Sequence, residues 1–376
     1  DFLRKTIPHF QDEKTGMVQC RWVFMNPEYS FLTRMQKIAL DGHFVLEQAG
    51  RYKAGHYFSF YGSAGIWRKE AIYDAGDWDG STLTEDLDLS YRAQFKGWKF
   101  KYLPEIEVPS ELPVMMSGYK TQQFRWAKGF IQCIRKLVFP VLKSKASFHK
   151  KFEAMTHLTS HLSYLIMGIH LIFAMPMLPL IRKYGHLVDN PWIMSFFTVM
   201  MFFGMSAPMI FLFVSQKVQG NSTFKTLIRL PLIFLANFGL AVHLVKAVWE
   251  GIIGKKSGFV RTPKFNIQGD REKVKAGKKY KSAFDFSTIA EIVTIIYASV
   301  TCYLAVKFKI YFTAGFTFMY VIGLSLVCGT YLIQHYQSKA QLKKAQSAIK
   351  YHVQWIRPLV SSRLTTETPV HKSIEL

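Results

Sequence analysis

Apolar residues are concentrated rather than spread along this chain: residues 156–181, 192–215 and 310–334 contain no Asp, Glu, Lys or Arg. As helices rising about 1.5 Å per residue, each is long enough to cross a hydrocarbon core of about 30 Å. Residues 286–306 carry one charge, Glu291, and read as a further span whose carboxylate must face protein or a polar channel rather than lipid. The stretch 224–250 is apolar in its middle but includes Lys225, Arg229, Pro231, His243, Lys246 and Glu250, which predicts an interfacial or re-entrant segment.

Before residue 156 the pattern changes to shorter, mixed elements. Phe2 to Phe10 reads as a short helix and Met17 to Phe24 as a buried strand. Glu28 to Gln48 reads as a helix with Phe31, Met35, Ile38 and Ala39 at helical spacing, and His56 to Tyr61 as a second strand. Gly62-Ser63-Ala64-Gly65 then turns the chain tightly. Leu87, Leu89 and Tyr91 give way to Arg92, Gln94 and Lys96 before Gly97, which predicts a helix over 87–95. This order suits an α/β layer fold over 1–155, then an all-α transmembrane bundle with interfacial helices over 156–334, then a polar tail over 335–376 that begins as a helix end and continues disordered.

Charge orients the spans. The chain has a formal net charge of +23, and residues 255–282 carry ten Lys or Arg against Asp270 and Glu272. Lys143, Lys145, Lys150 and Lys151 precede the first span, and Lys339, Lys343 and Lys344 follow the last. Positive-inside bias places all three groups on the cytoplasmic side, so the expectation is a multi-pass membrane protein with its N-terminal part and both termini cytoplasmic. Because the cations flank spans and do not form an aromatic-interleaved groove, the implied partner is a lipid bilayer and not nucleic acid. Cys20, Cys133, Cys302 and Cys328 are scattered, with neither metal-ligand spacing nor a disulfide framework.

Two short motifs carry chemistry. In Thr84-Glu85-Asp86 the aspartate falls at the start of the 87–95 helix, where the helix dipole would keep it ionised. In Gln122-Gln123-Phe124-Arg125-Trp126, residues 122, 125 and 126 share one helical face and present an amide, a fork of cationic donors and an indole plane. A carboxylate base, a cation for a phosphate leaving group and a flat surface for a sugar ring are thus encoded in two places. Alone, the first motif is a helix cap and the second an interfacial helix. Their order, with Glu111-Leu112-Pro113 just before the second, argues against chance. Gln19-Cys20-Arg21-Trp22 imitates the second motif, but a strand sends Arg21 and Trp22 to opposite faces, which predicts a structural role.

An acidic triplet, then Q-x-x-R-W, then membrane spans resembles the processive family 2 glycosyltransferases, in particular their cellulose-synthase-like and mannan-synthase-like members. Phe259-Val260-Arg261-Thr262-Pro263-Lys264 matches the F-x-x-T-x-K of their gating loop. The resemblance runs from the start of the chain to about residue 334. It implies that 1–155 is the second half of a GT-A nucleotide-sugar domain. It further implies inverting transfer from a UDP- or GDP-linked sugar to a growing β-linked polysaccharide. Asp86 would be the base beside Thr84 and Glu85; Arg125 would hold diphosphate, Trp126 would stack on the acceptor sugar, and Gln122 would orient one or the other. Gly62 and Ser63 would lie beside the acceptor, and Phe259, Thr262 and Lys264 would close the site. Family members mostly carry Asn, Cys or a similar small group before that glycine, where this chain has Tyr61.

The donor half of such a domain, with the D-x-D that binds Mg or Mn, would precede residue 1. Asp86-Leu87-Asp88 has that spacing but belongs to the acidic triplet and is not assigned to metal. The expectation is therefore the C-terminal portion of a longer hexosyltransferase, inactive alone. A non-processive glycolipid-forming enzyme and a truncated non-catalytic membrane subunit remain open as alternatives.

Overall fold

The structure is a computed structural model describing residues 1–185, 191–267 and 287–364. The chain enters through helix α1 (Phe2–Thr6) and a 3-10 turn (Ile7–Gln11), then strand β1 (Thr15–Phe24). Helix α2 (Phe31–Asp41) runs through a π-helical stretch (Gly42–Gln48) into α3 (Ala49–Lys53), so the element expected to end at residue 48 continues to Lys53. Its start is fixed by a capping box in which Ser30 and Thr33 exchange bonds of 3.2 and 2.9 Å. Leu32, Met35 and Ile38 are buried, whereas Phe31 and Ala39, expected on that face, are exposed.

No strand forms over His56–Tyr61. Side chains of the later helix Glu85–Phe95 take the backbone groups that a ladder would use: the Phe60 N–H donates to Ser90 Oγ at 2.8 Å, and that of Phe58 to Gln94 Oε1 at 3.3 Å. The chain turns through positive φ at Gly62 and Ala64, and strand β2 is Gly65–Trp67. Helices α4 (Lys69–Asp74) and α5 (Glu85–Phe95) follow, then strand β3 (Lys99–Ser110), which the pattern of apolar residues does not predict. The sheet order is β2-β1-β3, with β1 antiparallel to β2 and parallel to β3. Pro104 and Pro109 lie in β3, and both suit its place at the sheet edge. Met17 packs with Leu89, Phe100 and Tyr102 on one face of β1, and Val18 and Cys20 with Leu103 on the other.

The long helix α6 (Met116–Lys143) joins this α/β part to the apolar helices α7 (Phe148–Thr159), α8 (Ser163–Tyr184) and α9 (Pro191–Val218). Next come α10 (Thr223–Gly239), α11 (Ala241–Ile252), α12 (Ser287–Lys307) and α13 (Tyr311–Leu364). Among the described residues, Phe148–Tyr184, Ser287–Lys307 and Tyr311–Ala340 are long and apolar enough to cross a membrane. Helices α10 and α11 meet at a 48° bend and reach that length only as a pair, while Phe202–Val218 of α9 is a shorter apolar helix. Where α10 crosses α13, a Cβ on Gly239 would lie 2.1 Å from the Gly323 carbonyl oxygen, so only glycines permit this approach. The 255–282 loop is described up to Ile267 and the polar tail up to Leu364; the remainder of both lies outside the described residues.

Candidate active site

Thr84 caps α5 through its carbonyl, which accepts the Asp88 N–H at 3.2 Å, and its side chain lies directly against Gly129 of α6. A Cβ at Gly129 would sit 2.5 Å from Thr84 Cγ2, so this glycine sets how closely the acidic triplet approaches the Q-x-x-R-W helix. Leu83 is tied to the same helix by an N–H bond of 2.8 Å to Gln132. Asp86 therefore opens into a cavity of about 320 Å³ that Gln122, Gln123 and Trp126 of α6 also line.

The Asp86 Oδ1 accepts the N–H of its neighbour Leu87 at 2.9 Å. The carboxyl is nevertheless pushed up to about 7, chiefly by burial with help from Glu85, against the pull of the Leu87 N–H and Arg125. The helix terminus, expected to keep the group ionised, is therefore opposed by burial, and loss of water outweighs the dipole here. Gly62, at φ +66°, abuts the carboxylate, since a Cβ there would lie 3.3 Å from Asp86 Oδ2. The exposed Ser63 meets the sheet through its carbonyl, which accepts from Gln19 Nε2 at 3.0 Å.

Arg125 points from the same helix toward the F-x-x-T-x-K loop rather than into the cavity. Its guanidinium lies 4.2 Å from the Phe259 ring centre and donates to the Val260 carbonyl at 3.1 Å. Burial lowers its pKa, with Glu85 and Asp86 opposing. Thr262 is buried beside Gly118, with its hydroxyl lacking a hydrogen bond among the described residues. The Lys264 ammonium donates to the Glu111 carbonyl, while the Glu111 carboxylate accepts the N–H groups of Phe265 at 2.9 Å and Asn266 at 3.0 Å. Thus the loop is docked on α6 and on the Glu111 segment that precedes it.

The cavity wall also contains residues that the motifs do not reveal. Of the imitation motif expected to be structural, Arg21 pairs with Glu107, while Trp22 packs on Phe44 at 5.4 Å and also lines the cavity. His43 bonds Glu47 at 2.7 Å, and both line the wall. Burial disfavours the Glu47 charge, but His43 and Arg51 outweigh it and hold the carboxyl below its usual range. The i, i+4 spacing of His43 and Glu47 within the expected helix was the available signal. Tyr61 packs edge-on against His43 with ring centres 4.5 Å apart.

Asp88 does not join Asp86. It is buried on another side of α5, where its Oδ2 accepts from Arg92 and Lys136, each at 3.0 Å. Among the described residues no group of three or more His, Cys, Asp or Glu side chains is placed to hold a metal ion.

The family model described as glycosyl transferase family group 2 matches residues 1–242. The chain is also 44% identical over 146 residues to the probable glucomannan 4-beta-mannosyltransferase 4 of Oryza sativa subsp. japonica, covering 39% of this chain and 27% of that protein. It is 43% identical over 153 residues to glucomannan 4-beta-mannosyltransferase 2 of Arabidopsis thaliana, covering 40% of this chain and 29% of that protein. Glucomannan 4-beta-mannosyltransferase 9 of Arabidopsis thaliana is 42% identical over 146 residues, or 39% of this chain and 27% of that protein. In each case the match spans under a third of the relative's own length. With Thr84 and Asp86 lining one cavity together with Gln122 and Trp126, and a family match over most of its length, the chain belongs to glycosyl transferase family group 2.

Proposed function

We propose that this chain carries the acceptor side of a membrane β-glycosyltransferase that extends a polysaccharide with inversion at the transferred sugar. The observation that carries the reading is Asp86, a carboxyl titrating at about 7 on the same cavity as Gln122 and Trp126. A general base works best with a pKa near the operating pH. Asp86 takes the proton of the acceptor hydroxyl as its oxygen bonds to the sugar anomeric carbon, and the carbon–oxygen bond to the nucleoside diphosphate breaks on the opposite face. Arg125 stabilises the charge that develops on the departing diphosphate, and Trp126 offers a plane on which the acceptor ring is held in line. Gln122 orients the sugar hydroxyls beside it, with Gly62 and Ser63 on the acceptor side.

Arg125 makes its contacts with Val260 and Phe259, so diphosphate binding exchanges a loop carbonyl and a ring for phosphate oxygens. Thr262 and Lys264 travel on that loop and close over the nucleotide in the same movement. The relatives' names favour a 4-β-linked mannosyl product, drawn from a nucleoside-diphosphate mannose. We assign residues 1–155 to the second half of a GT-A domain on the cytoplasmic side, with the polymer leaving between the apolar helices. A divalent cation accompanies this chemistry in the family, and no step above passes through it.

The test is expression of the full-length protein in membranes with a panel of nucleotide sugars. Polymer formed from one donor, released by a β-mannanase or β-glucanase and abolished by Asp86→Asn, supports the reading. Transfer of a single sugar to lipid without polymer would favour a glycolipid-forming enzyme instead.

A further inference from the structure

A second, smaller cavity of about 80 Å³ lies where α2 meets the turn between α9 and α10, and it shares no lining residue with the cavity that holds Asp86. Arg34 and Lys37 reach it from α2, and Lys225 and Arg229 from α10. Acidic groups compensate only part of this charge. Glu28 pairs with Arg34 at 2.7 Å and lies 3.8 Å from Arg229, and Asp41 pairs with Lys37. Among the described residues Lys225 forms no ion pair, and neither does Lys217 at the end of α9, which donates to Thr223 at 2.9 Å. Residues 190–249 contain no Asp or Glu at all, so nothing local on these helices neutralises the cluster.

The polar groups around this cavity suit a phosphate. Guanidinium groups of Arg34 and Arg229, ammonium groups of Lys37 and Lys225 and the Asn221 amide line it beside the single carboxylate of Glu28, so donors dominate its wall. The surroundings identify the source of that phosphate. In the same turns of α10 as the cations, Phe224, Leu227 and Ile228 are 73, 54 and 57% exposed, an apolar surface that hydrocarbon would cover. A diacyl lipid whose headgroup fills the cavity would lay its chains against these side chains.

We propose that the Arg34–Lys225–Arg229 cavity is a site for the phosphate headgroup of an anionic phospholipid. The bound lipid pins α2 against α9 and α10. Because α2 carries Gln36 on the wall of the larger cavity, the lipid stabilises that wall from behind.

Full-length protein is reconstituted in nanodiscs of phosphatidylcholine containing a minor fraction of phosphatidic acid, extracted into mild detergent, and weighed by native mass spectrometry. The parent retains phosphatidic acid over phosphatidylcholine. Lys225→Gln with Arg229→Gln weakens retention about 30-fold, equivalent to roughly 1 kcal/mol per cation. Lys225→Glu alone, at an exposed position, weakens it in the same direction. Lys143→Gln with Lys145→Gln, two cations elsewhere on the same side, leaves it unchanged. Retention of phosphatidic acid by the Lys225 variants at the parent's level would overturn the proposal. So would displacement of the bound lipid by inorganic phosphate alone, which would identify a free-anion site.

Discussion

Lys120 of α6 and Glu291 of α12 form a buried ion pair, with nitrogen–oxygen distances of 2.7 and 2.6 Å and almost no solvent exposure on either side chain. The requirement that Glu291 face protein rather than lipid is met by a cation from outside the apolar helices. Two turns further along α6, Lys128 pairs with Glu250 of α11 at 2.8 Å. Lys120, Phe124 and Lys128 lie on one face of α6, and Gln122, Arg125 and Trp126 on the other. The two ion pairs therefore fix the rotation of the helix that carries the candidate site.

Removing one partner of such a pair strands the other charge. Glu291→Gln is expected to destabilise the protein by about 3–5 kcal/mol, whereas Lys120→Met with Glu291→Leu restores much of the loss. Thermal unfolding in nanodiscs checks this. A Glu291→Gln protein as stable as the parent would show that the pair does not hold α6.

The raised pKa of Asp86 has consequences for rate and for stability. As a base it must be deprotonated, so transfer should rise tenfold per pH unit below about 7 and level off above it. Asp86→Asn should lower transfer by roughly 100-fold or more and remove that limb of the profile. The sign for stability is opposite. A carboxyl whose folded pKa exceeds its unfolded value binds its proton more tightly in the folded state, so folding loses stability as pH rises from about 4 through 7. Asp86→Asn should accordingly be more stable than the parent at pH 8, as unfolding at pH 5 and 8 would reveal. A flat pH profile for transfer would remove Asp86 from the role of base.

What the chain discloses on its own depends on how local the information is. Asp86 and the face shared by Gln122 and Trp126 are readable because each motif spans one or two helical turns, and the helix period decides which side chains meet. The Asp86 titration is not readable, because the helix dipole is a neighbouring effect while burial comes from α6 and the Gly62 turn, distant in sequence. β3 is hidden by Pro104 and Pro109, which argue against a strand until β1 is known to lie on one side only. Trp22 joins the cavity through its packing on Phe44, which no spacing encodes.

Trp126 separates acceptor from donor. If its indole holds the acceptor ring, Trp126→Ala should reduce chain extension well beyond any loss in hydrolysis of the nucleotide sugar, because stacking orients the acceptor and contributes little to the diphosphate. Parallel assays of polymer and free nucleotide measure the ratio. Equal losses would mean that Trp126 shapes the cavity without holding sugar.

The loop position tests topology and closure together. Lys255 donates to Glu250 at 3.0 Å, and five residues later Val260 meets Arg125, so Ser257 sits on an exposed span between two anchored points. The basic composition of 255–282 is the ground for proposing a cytoplasmic location for it. Of the native cysteines only Cys302 is not buried, so Ser257→Cys in a Cys302→Ser background gives a single accessible thiol. It should react with an impermeant maleimide in inside-out vesicles only. Added nucleoside diphosphate, drawing the loop over the site with Thr262 and Lys264, should slow the reaction several-fold. Labelling from the outer face would show that α10 and α11 together cross the membrane, and a rate indifferent to nucleotide would separate the loop from the catalytic cycle.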